Sequence, residues 1–240
     1  MAGEDMDSSR NRARLAGLLW LLVAVTGGFS LFYVRSKVIV SGDAAATAGN
    51  IVASEFLFRA AIVSNLFSQV FLFFFGLIIY RLFKEVNKAL ATVFLTSVMM
   101  TVAIAVVNAF NSFGALLVLS QADYLKAFTT EQLNALAMIF LRLNNSFGQG
   151  LLEIFWVPFY FSFGLLIIKS RYLPKILGIL MLLMSVGFAI NILDKFLIPQ
   201  FYPALFTRLA MTLSALGVLP TIFWLLIKGA KVQPLDEQAA

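Results

Sequence analysis

The stretch NNSFGQGLLEIFWVPFYFSFGLLIIK, residues 144–169, is long and apolar enough to cross a bilayer as one helix. Its first third nevertheless carries Asn145, Gln149 and Glu153, and Arg142 stands just upstream. At about 100° per residue these four side chains fall within an arc of about 80°, which predicts one polar stripe on a single helix. An ionisable side chain inside the membrane costs roughly 2.5–3.5 kcal/mol on insertion scales, so Glu153 is a candidate functional residue.

The composition of the whole chain is that of an integral membrane protein. Apolar residues make up 61% of the 240 residues, whereas soluble domains contain about 45–50%. The net charge is +6, but Lys and Arg occur in short clusters between apolar runs, which argues against nucleic-acid binding. The chain has no Cys and no His, so we expect no cofactor or metal and no disulfide. Any chemistry has to use carboxylate, amide, hydroxyl, Lys or Arg groups.

Six apolar runs predict an all-α bundle of six transmembrane helices, with residues 15–228 as a single domain between a polar arm and a short tail. The runs cover about 15–34, 56–80, 89–119, 145–168, 176–193 and 204–227. The first run resembles a signal peptide, but its length of about 20 residues and the lack of a clear cleavage site favour an uncleaved helix. Gly27 and Gly28 are placed to bend it.

Two polar segments between these runs carry signals for short helices. Asp43 is a suitable N-cap within residues 35–55, and the sequence TTEQ at 129–132 resembles a capping box. Continued unbroken to Lys169, the helix that begins there would be nearly 60 Å long, about twice the hydrocarbon thickness. We therefore expect an amphipathic helix on the outer surface and a break in the amide and glycine cluster 144–150, with Pro158 as a second kink.

The distribution of basic residues predicts that both termini are cytoplasmic. Five Lys and Arg residues lie in the three loops on the opposite side: Arg35, Lys37, Lys126, Lys195 and Arg208. Eleven lie in the arm, the two basic turns and the tail: Arg10, Arg12, Arg14, Arg81, Lys84, Lys88, Lys169, Arg171, Lys175, Lys228 and Lys231. The excess marks the cytoplasmic side of the membrane.

Polar residues in other spans complete a candidate ligand site in the outer half of the membrane. The proposed ligand-binding set is Glu153, Gln149, Asn145, Arg142, Arg59, Asn108, Asn111 and Gln69, with Asn191, Asp194 and Arg208 as further potential partners. Arg59 is the first choice as partner of Glu153, because it begins the second span at a similar depth. On its own helix Arg59 has no carboxylate closer than Glu55. Two plainer interpretations stand beside this one. Amides in a bundle often only join helices by hydrogen bonds, and Arg59 and Arg142 can extend their side chains to the surface.

Three functions follow from these residues. The first is binding or transport of a small molecule or lipid, because a pocket with polar sides, an apolar base and Phe and Trp156 in its lining suits an amphiphile or a small polar molecule. The second is a structural or regulatory membrane protein without a ligand. The third, an intramembrane enzyme with Glu153 as acid or base, is disfavoured because only one carboxylate lies deep and no catalytic sequence motif is present.

Several blocks of sequence together resemble one family. They are ARLAGLLW (13–20), VTGGFS (25–30), FRAAIV (58–63), YRLFK (80–84) with NK (87–88), ADYL (122–125) and LPKILGI (173–179). In these blocks the chain is similar to domain-of-unknown-function family 4386, whose members are uncharacterised. The resemblance implies a six-helix inner-membrane protein of bacterial type with no agreed activity. Members often carry His-Asn where this chain has Asn144 and Asn145, a departure that weakens any proposal of proton transfer there.

Overall fold

The computed structural model describes residues 2–197 and 204–230, with side chains described for 9–145, 148–197 and 216–230. These residues form helices and turns and no strand, which confirms the predicted all-α class. The helices, in chain order, are α1 (Ala2–Gly28), a π-helical turn (Phe29–Val34), α2 (Arg35–Val38), α3 (Ala44–Ala53), α4 (Glu55–Phe83), α5 (Lys88–Val118), a 3-10 turn (Asp123–Ala127), α6 (Thr130–Arg142), a second π-helical turn (Leu143–Gly148), α7 (Gln149–Ser170), α8 (Lys175–Phe196) and α9 (Ala204–Ile227).

Five helical stretches in the described residues are long and apolar enough to cross a membrane, so the chain is a multi-pass membrane protein. They are Ser9–Val38, Glu55–Phe83, Lys88–Val118, Thr130–Ser170 and Lys175–Phe196. The sixth predicted run forms the 24-residue helix α9, but the side chains of 204–215 lie outside the described set. The sixth span therefore stays a prediction.

The helix changes from α to π form in the amide and glycine cluster, where a break is predicted. Residues Leu143–Gly148 form a π-helical turn, in which hydrogen bonds join residues five apart instead of four. The chain does not leave the helix there, because helical backbone continues from Thr130 to Ser170 and passes through Pro158. The amphipathic helix α6 is thus joined directly to the fourth span, and its position on the outer surface stays a prediction. The other π turn directly follows Gly27 and Gly28.

Local capping accounts for the starts of α3 and α6, and both predicted caps are confirmed. The Asp43 carboxylate accepts a hydrogen bond from the backbone N–H of Ala46 at 2.8 Å. The Thr129 hydroxyl accepts one from the Gln132 N–H at 3.3 Å, while the Gln132 side chain accepts the Thr129 N–H at 2.8 Å. Each cap satisfies N–H groups that have no partner within the helix.

Replacing Asp43 with alanine should lower the free energy of unfolding by about 1 kcal/mol, because the first turn of α3 loses its acceptor. Asp43→Asn retains a side-chain oxygen and should stay within a few tenths of a kcal/mol of the wild type. Thermal or chemical unfolding in detergent measures both variants. An asparagine variant that loses as much stability as the alanine variant would contradict this account of the cap.

The chain divides into two compact units, and each is described by itself. The first unit contains residues 1–22, 71–101 and 152–240, and the second contains 23–70 and 102–151. Aromatic rings form the core of the first unit. Trp20 packs on Phe75 with ring centroids 4.9 Å apart, and Phe94 packs on Phe163 at 5.2 Å. All four side chains are almost completely buried.

Helices α7 and α8 form a tight hairpin within the first unit. Arg171, with a φ of 57°, turns the chain out of α7, and Pro174 begins α8. Along the hairpin Gly164 and Gly178 meet backbone to backbone, because a Cβ atom on either would lie 2.7 Å from the carbonyl oxygen of the other. Small residues at such a crossing let membrane helices approach closely.

The second unit has a core of aliphatic residues. Ile51 of α3, Leu116 of α5 and Leu141 of α6 belong to one buried cluster, together with Phe58 of α4. The Ser64 hydroxyl also donates a hydrogen bond to the carbonyl oxygen of Thr26 at 2.9 Å. Apolar side chains thus form the core of this unit, and the Ser64 hydroxyl adds a hydrogen bond between two helices.

Candidate functional site

Glu153 is buried in the first unit and is fully paired by side chains of another helix. Its Oε2 accepts a hydrogen bond from Nδ2 of Asn191 at 2.7 Å, and its Oε1 accepts one from Nζ of Lys195 at 2.6 Å. Asn191 and Lys195 are four residues apart on α8, so one face of that helix presents both. The prediction that Glu153 is buried and has a cationic or amide partner from another helix is therefore confirmed.

The ion pair is open on the side of the lysine. The Glu153 side chain is 8% exposed, whereas the Lys195 side chain is 28% exposed. Lys195 also stands in the last turn of α8, where the helix dipole favours a positive charge. The carboxylate is therefore enclosed, while part of the Lys195 side chain is exposed.

Aromatic rings continue the α7–α8 contact beyond the ion pair. Phe188 of α8 packs against Trp156 at 5.0 Å and stacks on Tyr160 at 5.4 Å, measured between ring centroids. The Ser185 hydroxyl donates to the carbonyl oxygen of Val157 at 2.8 Å. A charged and amide-bearing end of the α7–α8 contact is thus followed by a cluster of aromatic rings, and the predicted pocket stays a prediction.

Asp194 adds a second carboxylate to this end of α8. Its Oδ1 is buried and has no hydrogen-bond partner among the described residues. Arg208, one of the partners considered from the sequence, has its side chain outside the described set. Within the described residues, no three His, Cys, Asp or Glu side chains come together to hold a metal ion. The groups at hand are an ammonium, an amide and two carboxylates.

The prediction that Arg59 pairs with Glu153 is wrong. Arg59 instead contacts Glu55, with Nη2 2.7 Å from Oε1, and both side chains are more than half exposed. The two residues are four apart on α4, so they meet without any help from tertiary structure. Arg59 therefore pairs with the carboxylate on its own helix and not with Glu153.

Asn108 and Asn111, the alternative partners of Glu153, bond within the second unit instead. Asn108 Nδ2 donates to the carbonyl oxygen of Asn144, and Asn144 Nδ2 donates to the carbonyl oxygen of Asn108, both at 3.0 Å. Asn111 Nδ2 donates to Asn108 Oδ1 at 2.9 Å. These amides join α5 to the second π turn, which agrees with the plainer interpretation of helix-to-helix hydrogen bonds.

The remaining predicted residues do not form one stripe with Glu153. The spacing of 100° per residue does not hold across a π turn, so Arg142 and Asn145 lose the predicted alignment with Glu153, whereas Gln149 keeps the i, i+4 relation to it in regular helix. Arg142 is exposed. Gln69 donates to the carbonyl oxygen of Asn65 on its own helix at 3.4 Å, and its Oε1 is buried with no hydrogen-bond partner among the described side chains. A ligand-binding role for these residues stays a prediction.

Lys195 is the site residue that sequence reasoning missed. In an antiparallel helical hairpin, residues that lie opposite each other are equally far from the turn. With the turn at residues 171–174, the numbers of two opposite residues add up to about 344. This rule pairs Glu153 with Asn191, and Lys195 follows one turn later on the same face. The register of the hairpin was therefore the signal that could have identified both partners.

Comparison with known proteins supplies the family and nothing further. No curated protein and no solved structure matches the chain. The family described as "Domain of unknown function (DUF4386)" matches residues 15–229, nearly the whole length. The resemblance in the sequence blocks is thereby confirmed, and the chain belongs to the DUF4386 family.

Proposed function

We propose that this protein binds, and in doing so can transport, a small molecule or lipid at the outer-half site formed by Glu153, Asn191 and Lys195. The observation that carries the proposal is a buried carboxylate held by a lysine that remains 28% exposed. Ionisable groups within membrane spans are costly, and they commonly mark substrate or ion pathways. The ammonium group of this lysine offers a ligand a positive charge and hydrogen-bond donors.

The chemistry of the surroundings favours an amphiphile. A polar or anionic group fits Lys195 and Asn191, while the rings of Trp156, Tyr160 and Phe188 suit an apolar chain or ring system. Ligand sites of this type combine a mainly apolar lining with a few polar groups that fix orientation. The proposed ligand therefore carries an anionic or polar head and an apolar body.

The proposal includes a location. We place the chain in the inner membrane of a bacterium, with both termini cytoplasmic and six spans. Support for the orientation comes from the charge count of eleven against five. In this orientation Lys195 and Glu153 stand near the outer surface, so a ligand reaches them from the outer leaflet or from the outer aqueous side.

Glu153→Gln is expected to change the affinity for an anionic ligand at least tenfold, in the direction of tighter binding, while the protein still folds. Glutamine keeps the shape and can still accept a hydrogen bond from Asn191, but it releases Lys195 from its ion pair and changes the charge that a ligand meets. The measurement is the melting shift produced by the molecules that co-purify with the wild type, identified by mass spectrometry and added back to delipidated protein.

Glu55→Gln is the matched control, because it makes the same chemical change at an exposed carboxylate that also pairs with a cation. It should leave every ligand-induced shift at the wild-type value. If Glu153→Gln also leaves the ligand-induced shift at the wild-type value, the site does not bind the co-purified molecule.

The second candidate is a structural membrane protein, and one observation favours it. Both carboxylate oxygens of Glu153 already have partners, so the site is complete without a ligand. In that case Glu153→Gln changes the melting temperature equally with and without added lipid. The two candidates therefore differ in whether the effect of the substitution depends on ligand.

A further inference from the structure

Among the described side chains of the first unit, two buried N–H groups lack an acceptor. They are Nε of Arg14 in α1 and Nε1 of Trp224 in α9. A buried donor without a partner typically costs about 1–3 kcal/mol, so such groups are rare in folded proteins unless an acceptor from outside the chain fills the place. Both groups can only donate, which means that the missing partner is an acceptor.

Arg14 of α1 contacts the end of α9, the helix that carries Trp224. Nη2 of Arg14 donates a hydrogen bond to the carbonyl oxygen of Ile227 at 3.2 Å. Trp224 precedes Ile227 by three residues, or about 4.5 Å along the helix. The two helices touch closely at Gly17, where a Cβ atom would lie 2.8 Å from the backbone nitrogen of Leu226. Arg14 is therefore held against the last turn of α9.

The charge around this contact is suited to an anion. Arg10 lies against Gly229, where an added Cβ would be 2.8 Å from Cγ of Arg10, and the exposed Lys228 immediately precedes that glycine. The carbonyl end of α9 alone would repel an anion, because the helix dipole is negative there. Arg14 caps one of these carbonyl groups, and Arg10 and Lys228 add positive charge. Together the three cationic side chains make the electrostatic potential at this end of α9 positive.

We propose that the α1–α9 contact binds the phosphate of an anionic phospholipid head group, with Arg14 Nε–H and Trp224 Nε1–H as its donors. The position at the end of two membrane helices selects a lipid, because lipid phosphates lie at this depth and tryptophan is enriched there. The guanidinium group is well matched to phosphate oxygens, and basic residues beside a span attract anionic lipid. This site is separate from the one at Glu153 and does not depend on the function proposed for it.

The test uses the full chain in nanodiscs made of phosphatidylcholine alone or with added phosphatidylglycerol. Native mass spectrometry gives the affinity for phosphatidylglycerol, and thermal unfolding in phosphatidylcholine checks the fold. Trp224→Phe removes the indole N–H together with part of the ring system and leaves the net charge unchanged, so we expect the affinity to fall about tenfold. Arg14→Lys keeps the charge but lacks the Nε–H, and it should show a similar loss even if the tryptophan variant folds poorly.

Arg12→Gln and Arg14→Gln form the matched pair, since each removes one positive charge from the same helix and Arg12 is exposed. Arg14→Gln should lose about tenfold in affinity and Arg12→Gln less than twofold. The proposal is overturned if Arg12→Gln loses as much as Arg14→Gln while Trp224→Phe is unchanged, because attraction is then merely electrostatic. It is also overturned if inorganic phosphate stabilises the protein in phosphatidylcholine as well as phosphatidylglycerol does.

Discussion

Replacing Lys195 with methionine is expected to lower the free energy of unfolding by about 2–3 kcal/mol. The substitution keeps the aliphatic length of the side chain but leaves Oε1 of the buried Glu153 without its cation. Removing one member of a fully buried pair typically costs about 3–5 kcal/mol, and the smaller figure allows for the solvent that already reaches Lys195. Reversible unfolding in mixed micelles measures the loss.

A second substitution in the same chain tests the cause. Adding Glu153→Gln to Lys195→Met removes the unpaired charge, so most of the lost stability should return. Lys175→Met is the control, because it makes the same change in an exposed lysine at the other end of α8 and should alter stability by less than about 0.5 kcal/mol. A double variant that is no more stable than Lys195→Met would mean that the pair contributes nothing through its charge.

Replacing Gly148 with alanine is expected to destabilise the second unit by about 2–3 kcal/mol. A Cβ atom at this position would lie 1.9 Å from Oδ1 of Asn108, far inside van der Waals contact. The Asn108 side chain cannot simply move away, because its amide is bonded to Asn144 and Asn111. The alanine therefore breaks buried hydrogen bonds of Asn108 and also pushes its own helix away from α5.

Asn108→Ala distinguishes the two sources of this loss. Once the amide is gone, Gly148→Ala meets no obstruction there, so the two substitutions together should cost less than the sum of their separate effects. Gly49→Ala in α3 is the control, since nothing lies within 4 Å of its Cβ position. It should be neutral or stabilising by up to about 1 kcal/mol. Strict additivity of Gly148→Ala and Asn108→Ala would disprove the steric account.

Features that depend on neighbouring residues could be predicted from the sequence. The apolar runs are long enough to identify helices without knowledge of their packing, and the N-caps at Asp43 and Thr129 need only three residues each. The position of a departure from regular α-helix at 143–148 could also be predicted, because a long helix with glycine and amide residues has to deviate somewhere. Its form, a π turn within continuous helix, was not.

The partners of Glu153 could not be predicted in the same way. Burial of the carboxylate follows from the cost of a charge in lipid, but the choice among Arg59, Arg142 and the asparagines depended on depth in the membrane and on distances along single helices. Depth does not say which helix is adjacent or how it is rotated. Arg59 also had a closer carboxylate in Glu55, and a contact between residues four apart needs no tertiary structure. Only the register of α7 on α8 identifies Lys195.

The contact between Gly164 and Gly178 has a consequence for the site at the other end of the hairpin. The two backbones meet there with no room for a Cβ atom between them. If α8 slid along α7 by one residue, Gly178 would lie opposite Phe163 or Leu165, whose side chains do not fit in this gap. Gly164 is 11 residues from Glu153, about 16 Å along a stiff helix. The close contact of these two glycines therefore fixes, from about 16 Å away, how the carboxylate aligns with its amide and ammonium partners.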